Sequence, residues 1–244
     1  YAVREQNCRT PVIILTGSTN YDLDIESMRA GASDYLEKSL LTSTILERSI
    51  RYTLSHQQQA QEYEQMAMRD PLTKLFNQRA FRNRIAEAML RSNRQGKQLA
   101  ILFIDLDQFK AVNDNYGHHV GDALLRSVAR RLLSMARRTD TVARMGGDEF
   151  AMILEMLDKP WDATRVCEKL IEQIGTRAFR EEGHKIQIGL SIGVAVYPSY
   201  TEESERLLQY ADEAMYAAKQ SKGNAYRYWT EDATETLPIL KPLK

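Results

Sequence analysis

The run QLAILFI at residues 98–104 constrains the fold most, because apolar side chains fill every position after its first. A strand that is apolar on both faces must be covered by other elements on both sides. The run therefore predicts the central strand of a sheet, with helices packed above and below it. It is followed by Asp105 and Asp107, so two carboxylates stand where this strand leaves the core.

The rest of the chain alternates helical and strand patterns around this strand. Helical spacing predicts helices at 70–90, 121–136, 161–174 and 204–222, and β-type runs predict strands at 186–198 and 224–229. The helix at 70–90 is predicted to begin at its Asp-Pro pair. The segments 141–145 and 149–156 flank two glycines as the strands of a hairpin. This order predicts an α/β (α+β) sandwich, with helices flanking a sheet that contains an antiparallel hairpin.

Composition excludes several classes of protein. The chain is 43% hydrophobic and 27% charged, as folded domains are, and its 33 basic residues equal its 33 acidic residues. No global charge therefore favours nucleic acid or an anionic membrane. No apolar run reaches the roughly 18 residues of a membrane helix, so a cytoplasmic protein is expected. Cys8 and Cys167 are predicted to be reduced, buried thiols, and the start at Tyr1 predicts a fragment of a longer protein.

Residues 42–69 contain no glycine or proline and predict one long helix. Ile45, Tyr52, Gln59 and Met66 recur at intervals of seven, which is a weak and polar heptad. Two interpretations are open for this segment. It is either a solvated linker helix or the stalk of a parallel dimer.

The two aspartates after the central strand predict a cation site next to an anion site. Carboxylates at i and i+2 point to the same face of a strand. The backbone amides of Gln108 and Phe109 would open a helix N-terminus, which attracts anions. Mg²⁺ bound by carboxylates and by substrate phosphates would reconcile the two. The alternative is that Asp105 and Asp107 only cap a helix.

The hairpin tip adds two more carboxylates, Asp148 and Glu149, beside the central strand. Either of them could share a metal ion with Asp105. Gly146 and Gly147 have no side chain, so a nucleotide could approach the backbone of the turn closely. The alternative for the two glycines is an ordinary type I′ turn.

The stretch RMGGDEF at 144–150 resembles the signature of GGDEF-domain diguanylate cyclases. Five further segments in the same order carry the resemblance over roughly residues 70–229: DPLTKLFNQR (70–79), IDLDQFKAVND (104–114), YGHHVGDALL (116–125), LSIGVAVYP (190–198) and ADEAMYAAKQSKGN (211–224). The resemblance implies a fold similar to nucleotidyl cyclases and palm-type polymerases. It also implies condensation of two GTP molecules into cyclic di-GMP and two pyrophosphates.

The same resemblance implies a role for each matching residue. Asp105, Glu149 and the carbonyl of Leu106 would hold Mg²⁺ or Mn²⁺, and Asp148 would accept the proton of the 3′-hydroxyl. Further substrate-binding residues would be Asn113, Asp122, Gly146, Gly147, Phe109, Lys219, Lys222 and Leu72. Among them Asn113 and Asp122 would read guanine, because a carboxylate accepts from its N1–H and exocyclic amine. Each GTP attacks the other, so a homodimer is implied, and the stalk interpretation is favoured.

The sequence departs from the family pattern at three positions. Lys74 stands where the family usually has glycine, and Gln78 where it usually has arginine. After Lys219 the family commonly has Gly-Arg-Asn, whereas this chain has Lys222-Gly223-Asn224, so the usual phosphate-binding arginine is absent. Lys222 would replace it as a point charge rather than a bidentate fork. Phosphate affinity is the property that these departures affect.

Arg137 and Asp140 have the RxxD spacing of the family's product-inhibition site, with Arg91 as an auxiliary arginine. The five residues between Asp140 and Gly146 span about 17 Å when extended, so this site is expected to lie far from the metal site. Feedback inhibition by cyclic di-GMP is the implied function. The alternative is a helix C-terminus with favourable basic residues and a capping aspartate.

The amino-terminal segments PVIILTG and GASDYLEK resemble the last part of a response-regulator receiver domain, which is flavodoxin-like. Thr16 would be its switch hydroxyl and Lys38 its phosphate-contacting lysine, while the phosphoacceptor aspartate would lie upstream. An unrelated α/β remnant is the alternative. The predicted organisation is a partial receiver at 1–41, a linker helix at 42–69, a GGDEF domain at 70–230 and a tail at 231–244.

Three functions are compatible with these motifs. The first is a Mg²⁺-dependent diguanylate cyclase with GTP, cyclic di-GMP and a second copy of the chain as partners, and without nucleic acid or membrane for this fragment. The second is a catalytically silent module that binds cyclic di-GMP, and the third is a structural dimerisation fragment. The first is favoured because a silent site needs no complete set of Asp105, Asn113, Asp122, Asp148 and Glu149.

Overall fold

The computed structural model describes residues 10–17, 31–199, 201–221 and 223–230, without the side chains of 60–67. The chain divides into two compact units, residues 1–67 and 68–244. The predictions for Cys8, Lys222 and the tail at 231–244 lie outside the described residues. Within the described residues, no helix is long and apolar enough to cross a membrane.

The described part of the first unit contains two short parallel strands and one long helix. Strands β1 (Ile13–Thr16) and β2 (Asp34–Glu37) pair in register, and helix α1 covers Ser43–Ala67. The predicted helix is confirmed with slightly shorter ends. Thr42 caps it by accepting a hydrogen bond from the Ile45 amide at 3.2 Å.

The second unit is a six-stranded sheet flanked by helices. Its helices are α2 (Gln78–Gln95), α3 (Phe109–Tyr116), α4 (His118–Met135), α5 (Asp162–Leu170) and α6 (Ser204–Lys219). Its strands are β3 (Phe76–Asn77), β4 (Gln98–Asp107), β5 (Thr141–Gly146), β6 (Glu149–Leu157), β7 (Phe179–Glu181), β8 (His184–Ile186), β9 (Gly189–Tyr197) and β10 (Ala225–Tyr228). Six of these strands form the sheet, in the order β10-β9-β4-β6-β5-β3, and β7 and β8 pair separately as an antiparallel hairpin. In the six-stranded sheet only the edge strands β3 and β10 run parallel to their neighbours. The predicted mixed, mainly antiparallel architecture is confirmed.

Strand β4 is buried on both faces, as its apolar run predicts. Leu99, Ile101 and Phe103 pack with residues of α2 and α6 on one face. The alternate residues, including Leu102 and Ile104, pack with residues of α4 and α5 on the other. This alternation decides where the site forms, because every odd-numbered residue of β4 points toward α2 and α6.

Helix α6 lies directly on the sheet because Gly193 of β9 has no side chain. A Cβ atom at this position would lie 1.9 Å from the carbonyl oxygen of Ala211 and 2.1 Å from the amide nitrogen of Met215. Any larger residue would push α6 outward. The close approach brings Lys219, at the end of α6, next to the end of β4.

The prediction of a helix over 70–90 is wrong at its start, since α2 begins only at Gln78. Asp70 instead closes a turn, accepting hydrogen bonds from the amide (2.7 Å) and hydroxyl (2.6 Å) of Thr73. Asn77 is the actual N-cap and accepts a hydrogen bond from the Ala80 amide at 2.9 Å. A local side-chain bond has therefore replaced the helical turn that Asp-Pro suggested.

Two other predicted elements are divided in the structure. The helix predicted at 161–174 is α-helical to Leu170 and continues as a π-helix over Ile171–Thr176. The strand predicted at 186–198 is the end of β8 followed by β9. Helix α5 buries Cys167 completely, and burial raises the pKa of its thiol, as expected for an inert core cysteine.

Candidate active site

Asp105 and Glu149 lie side by side at the end of the central strands. They are direct partners in the antiparallel pairing of β4 with β6. Asp105 continues the row of Ile101 and Phe103, and Glu149 continues the row of Ala151 and Ile153, so both point toward the α2 and α6 face. Asp105 is only 4% exposed. The structure thus brings together the two predicted carboxylates from positions 44 residues apart.

The ammonium group of Lys219 already lies on one carboxylate of this pair. The Lys219 ammonium donates to Asp105 Oδ2 at 2.7 Å. Burial raises the pKa of Asp105 even though the lysine acts in the opposite direction. Burial also raises the pKa of Glu149, and the charge of Asp105 adds to that effect. The carboxylates are therefore held together at an electrostatic cost that a bound cation would relieve.

This donor set suits a hard divalent cation. Two carboxylates are the protein share that Mg²⁺ usually takes, with phosphate oxygens and water as its other ligands. In the described part of the chain, no three His, Cys, Asp or Glu side chains form a cluster that would hold a metal unaided. Lys219 occupies one carboxylate as a positive stand-in. The residues present therefore fit a metal ion that arrives with a phosphate ligand.

Arg144 links the tip of the β5–β6 hairpin to Asp70, near the start of the second unit. Its Nε and one terminal nitrogen donate to the Gly147 carbonyl at 3.0 and 2.7 Å, and the other terminal nitrogen contacts both Asp70 oxygens at 3.2 Å. Both side chains are mostly buried, with 13% and 15% exposure. Behind the tip, the Asp148 carbonyl accepts from the Leu106 amide at 3.4 Å. These contacts fix the turn that precedes Asp148.

The two glycines of the tip leave open space, as a close ligand would need. A Cβ atom on Gly146 or Gly147 would meet no described atom within 4 Å. Gly147 has φ +48°, while Asp148 is not among the described residues with positive φ. Gly146 pairs with Glu149, so the central residues of the turn are Gly147 and Asp148. A type I′ turn needs positive φ at both of them, so that alternative is wrong.

The two aspartates at the end of β4 have separate roles. Helix α3 begins at Phe109, directly after β4, and Gln108 precedes it with φ +60°, so the predicted helix N-terminus is present. Asp107 accepts from Ser191 Oγ at 2.6 Å and from the Asn224 amide at 3.3 Å. Asp107 therefore fixes the neighbouring segments, whereas Asp105 accepts the hydrogen bond from Lys219.

The two candidate guanine-binding residues, Asn113 and Asp122, lie on α3 and α4, which pack against each other. Asn113 and Phe109 lie over Gly121, where a Cβ atom would come within 1.9 Å of Asn113 Oδ1 and 3.2 Å of Phe109 Cζ. Asp122 follows Gly121 and is exposed. The absence of a side chain at Gly121 thus lets Asn113 pack against the start of α4, one residue before Asp122. Leu72 is half-buried and packs against the main core.

A cavity of about 780 Å³ adjoins Lys219 and the start of α3. Its lining includes Gln108, Asp107 and Lys219, but neither Asn113 nor Asp122. The guanine readers therefore lie outside this cavity. The end of the site next to Lys219 borders this preformed hollow.

Comparisons with known proteins agree with this geometry. The family model for the diguanylate cyclase GGDEF domain matches residues 67–225. The chain belongs to the GGDEF diguanylate cyclase domain family. The bifunctional diguanylate cyclase/cyclic di-GMP phosphodiesterase MucR of Pseudomonas aeruginosa is 39% identical over 210 residues, covering 84% of this chain. The diguanylate cyclase TpbB of the same organism is 40% identical over 159 residues, covering 65% of this chain.

The solved structures agree as well. A truncated TpbB comprising only the GGDEF domain superposes with a TM-score of 0.64 at 39% identity, covering 66% of this chain and 94% of that one. The coiled coil and GGDEF domain of DgcB from Caulobacter crescentus, in complex with c-di-GMP, has a TM-score of 0.67 at 27% identity, covering 76% and 97%. The chain spans 30% of MucR and 37% of TpbB, about a third of each.

The predicted product-inhibition residues of the GGDEF domain also lie together, and Glu155, which was not predicted, connects Asp140 with Arg91. Asp140 Oδ2 accepts from the Arg137 amide at 2.8 Å, and its Oδ1 accepts from the Glu155 amide at 3.4 Å. Arg91 binds the Glu155 carboxylate through two contacts of 2.9 Å. Asp140 does cap a turn, as the alternative held. Burial raises the pKa of its carboxyl despite the two amide contacts.

Sequence reasoning missed four residues that shape this GGDEF domain: Asp70, Arg144, Gly121 and Glu155. Arg144 and Asp70 stood inside motifs, but their ion pair joins positions 74 residues apart. Glu155 lies in an otherwise apolar part of the β6 sequence. A single acidic residue in such a strand indicates a buried carboxylate with a partner, and this was the signal that could have identified it.

Proposed function

We propose that this chain is a metal-dependent diguanylate cyclase that condenses two GTP molecules into cyclic di-GMP. The observation that carries the proposal is the convergence of Asp105, Glu149 and Lys219 at the end of β4. Two carboxylates and a movable ammonium suit a triphosphate that binds with a divalent cation. The intact guanine readers on α3 and α4 support the same assignment.

In this proposal Asp105, Glu149 and the carbonyl of Leu106 hold Mg²⁺ or Mn²⁺. When bound, the metal would neutralise the triphosphate and stabilise the leaving pyrophosphate. Lys219 would leave Asp105 and take the terminal phosphates. Lys222 would add a second positive charge from outside the described residues.

The reaction balances between two GTP molecules. The 3′-hydroxyl of each attacks the α-phosphorus of the other, so two P–O bonds form and two pyrophosphates leave. Asp148 is proposed to accept the hydroxyl proton, since it follows the fixed Gly147 at the hairpin tip. The Gly146-Gly147 backbone offers space for the phosphate.

Base selection is proposed for the junction of α3 and α4. Asp122 would accept from the N1–H and the exocyclic amine of guanine, a pair of donors that adenine lacks. Asn113 would add an amide contact, while Phe109 and Leu72 would supply apolar surface. This arrangement selects GTP over ATP.

Both GTP molecules must face each other, so we propose an antiparallel pair of GGDEF domains in a homodimer. Helix α1 would be its stalk, and Ile45 and Tyr52, seven residues apart, are 41% and 62% exposed. Apolar side chains at heptad spacing are suited to a partner helix. A cytoplasmic location accords with the substrate GTP.

Product inhibition is proposed at Arg137, Asp140 and Arg91. Asp140 would accept from guanine, and the arginines would contact phosphate or a guanine edge. DgcB, solved with c-di-GMP, is a relative whose GGDEF domain binds this dinucleotide.

The segment at 1–41 is proposed to be the end of a receiver domain. Its strands β1 and β2 run parallel, and the Lys38 amide donates to the Thr16 carbonyl at 2.7 Å. The candidate switch residues Thr16 and Lys38 therefore lie at the same end of the strand pair. Phosphorylation upstream would then act on the dimer through α1.

The proposal is tested by incubating the protein with GTP and Mg²⁺ at increasing protein concentration. Chromatography should show one cyclic di-GMP and two pyrophosphates per pair of GTP, with specific activity rising as the dimer forms. Full activity of the monomer would refute the dimeric mechanism. If the protein makes no cyclic di-GMP at high protein concentration but still binds added cyclic di-GMP, the silent binding module becomes the better assignment.

A further inference from the structure

Glu155 is an acidic residue on β6 that has no part in the proposed chemistry. It is 8% exposed although it carries a carboxylate. Its two oxygens bind Nε and one terminal nitrogen of Arg91, both at 2.9 Å. Its backbone amide donates to Asp140 at 3.4 Å. Glu155 therefore contacts two of the three residues proposed to bind the product.

The guanidinium of Arg91 is already occupied by acids. A guanidinium recognises a phosphate or a guanine edge with two neighbouring N–H groups on one side. Glu155 takes the side formed by Nε and one terminal nitrogen, and the other terminal nitrogen lies 3.7 Å from Glu87. Two carboxylates thus balance the charge of Arg91 before any anionic ligand arrives.

The contact with Glu155 resists replacement by a ligand. The Glu155 side chain is 10% exposed and that of Arg91 42%, so the carboxylate is shielded from water while the guanidinium stays within reach of a ligand. Moving Arg91 away would leave a buried carboxylate without its partner, which is strongly unfavourable. The hydrogen bonds that Arg91 donates to Glu155 also raise the pKa of Arg91, in keeping with a tight pair.

The two halves of the proposed product site are consequently in different states. Asp140 is held by backbone amides, which leave carboxylate lone pairs available to guanine. Arg91 already donates to the two carboxylate oxygens of Glu155, and the phosphate of the dinucleotide would offer it the same kind of anionic acceptor. A ligand must displace Glu155 to gain the arginine.

We propose that Glu155 is an internal competitor for Arg91 and weakens the binding of cyclic di-GMP at the RxxD site. This inference rests on the proposed product inhibition. The residue sets the product concentration at which the cyclase is inhibited. An amide in its place would release the guanidinium and tighten inhibition.

The test is calorimetric titration of cyclic di-GMP into the full chain, without GTP or metal. Glu155→Gln should lower the dissociation constant about 5- to 20-fold, the scale of one charge-assisted contact. The gain should vanish when Arg91→Ala is added, because the released group is then gone. Glu87→Gln is the matched control, since its contact is exposed, and it should change affinity less than about twofold.

Two results would overturn the inference. In the first, Glu155→Gln binds as well as or more weakly than the wild type, which would mean that Glu155 positions Arg91 instead. In the second, the gain persists in the Arg91→Ala background. Circular dichroism checks folding, and Glu155→Asp, which shortens the carboxylate, replaces the glutamine variant if that one unfolds.

Failure of the underlying site gives a different pattern. If wild type and Arg137→Ala bind cyclic di-GMP equally, the RxxD segment is not the product site, and the inference falls with it. If Arg137→Ala weakens binding while Glu155→Gln changes nothing, only the inference fails. Cyclase activity is measured separately and does not enter this comparison.

Discussion

Replacing Arg144 with alanine tests the link between the hairpin tip and the turn at Asp70. Arg144 contacts the Asp70 carboxylate and the Gly147 carbonyl through four hydrogen bonds of 2.7 to 3.2 Å. The pair is mostly buried, at 13% and 15% exposure. Arg144→Ala therefore leaves a carboxylate and a carbonyl without their main partner.

The expected loss of stability follows from these contacts. Breaking a buried ion pair costs about 3–5 kcal/mol, and Asp70 keeps its bonds to Thr73, so we expect about 2–4 kcal/mol. For a domain of this size that is a decrease of about 4 to 16 °C in Tm. The displaced tip should also lower cyclase kcat about 10- to 100-fold, because small misplacements of reacting groups are costly.

Urea unfolding and GTP turnover measure the two effects. Arg82→Ala is the control, since its ion pair with Glu205 is exposed at 44% and 63%. It should cost less than about 1 kcal/mol. An Arg144→Ala protein with wild-type stability and turnover would show that the tip needs no tie, and the reasoning would be refuted.

Three further outcomes are expected. Glu149→Gln should raise the Tm of the metal-free protein by about 2 °C, since an unpaired acid is removed, and Mg²⁺ with a GTP analogue should then stabilise it less than wild type. Burial raises the pKa of Asp70, but Thr73 and Arg144 bring it below its ordinary value. The stability of wild type over Asp70→Asn should therefore persist above about pH 5 and shrink below about pH 4 in urea unfolding; a constant difference would contradict this. Arg137→Ala should abolish feedback inhibition in initial-rate assays with added cyclic di-GMP, and inhibition equal to wild type would refute the site.

The parts of the fold that the sequence predicts are those with a local pattern. The apolar run at 98–104 predicted that β4 lies in the core. The glycine pair at 146–147, with a strand pattern on each side of it, predicted the hairpin of β5 and β6. The absence of glycine and proline predicted α1. In each case the signal and the element cover the same few residues, so tertiary contacts were not needed.

The parts that the sequence does not predict depend on distant contacts. Asp-Pro at residue 70 suggested a helix start, but the carboxylate is used by Thr73 and by Arg144. The predicted phosphate lysine, Lys219, lies on Asp105, 114 positions away. The helix period also gives no sign that Gly193 lets α6 approach the sheet. The pairing of charges across the sheet follows from packing, which no local pattern encodes.

Conversion of GTP by wild type and by Glu149→Gln, measured side by side, tests the central claim most directly. Both proteins are assayed with saturating Mg²⁺ at a concentration where dimers form, with the exposed Glu205→Gln as control. The account predicts cyclic di-GMP from wild type and control, and a loss of at least about 100-fold in the folded Glu149→Gln protein. Equal product from all three would contradict a metal site at Asp105 and Glu149.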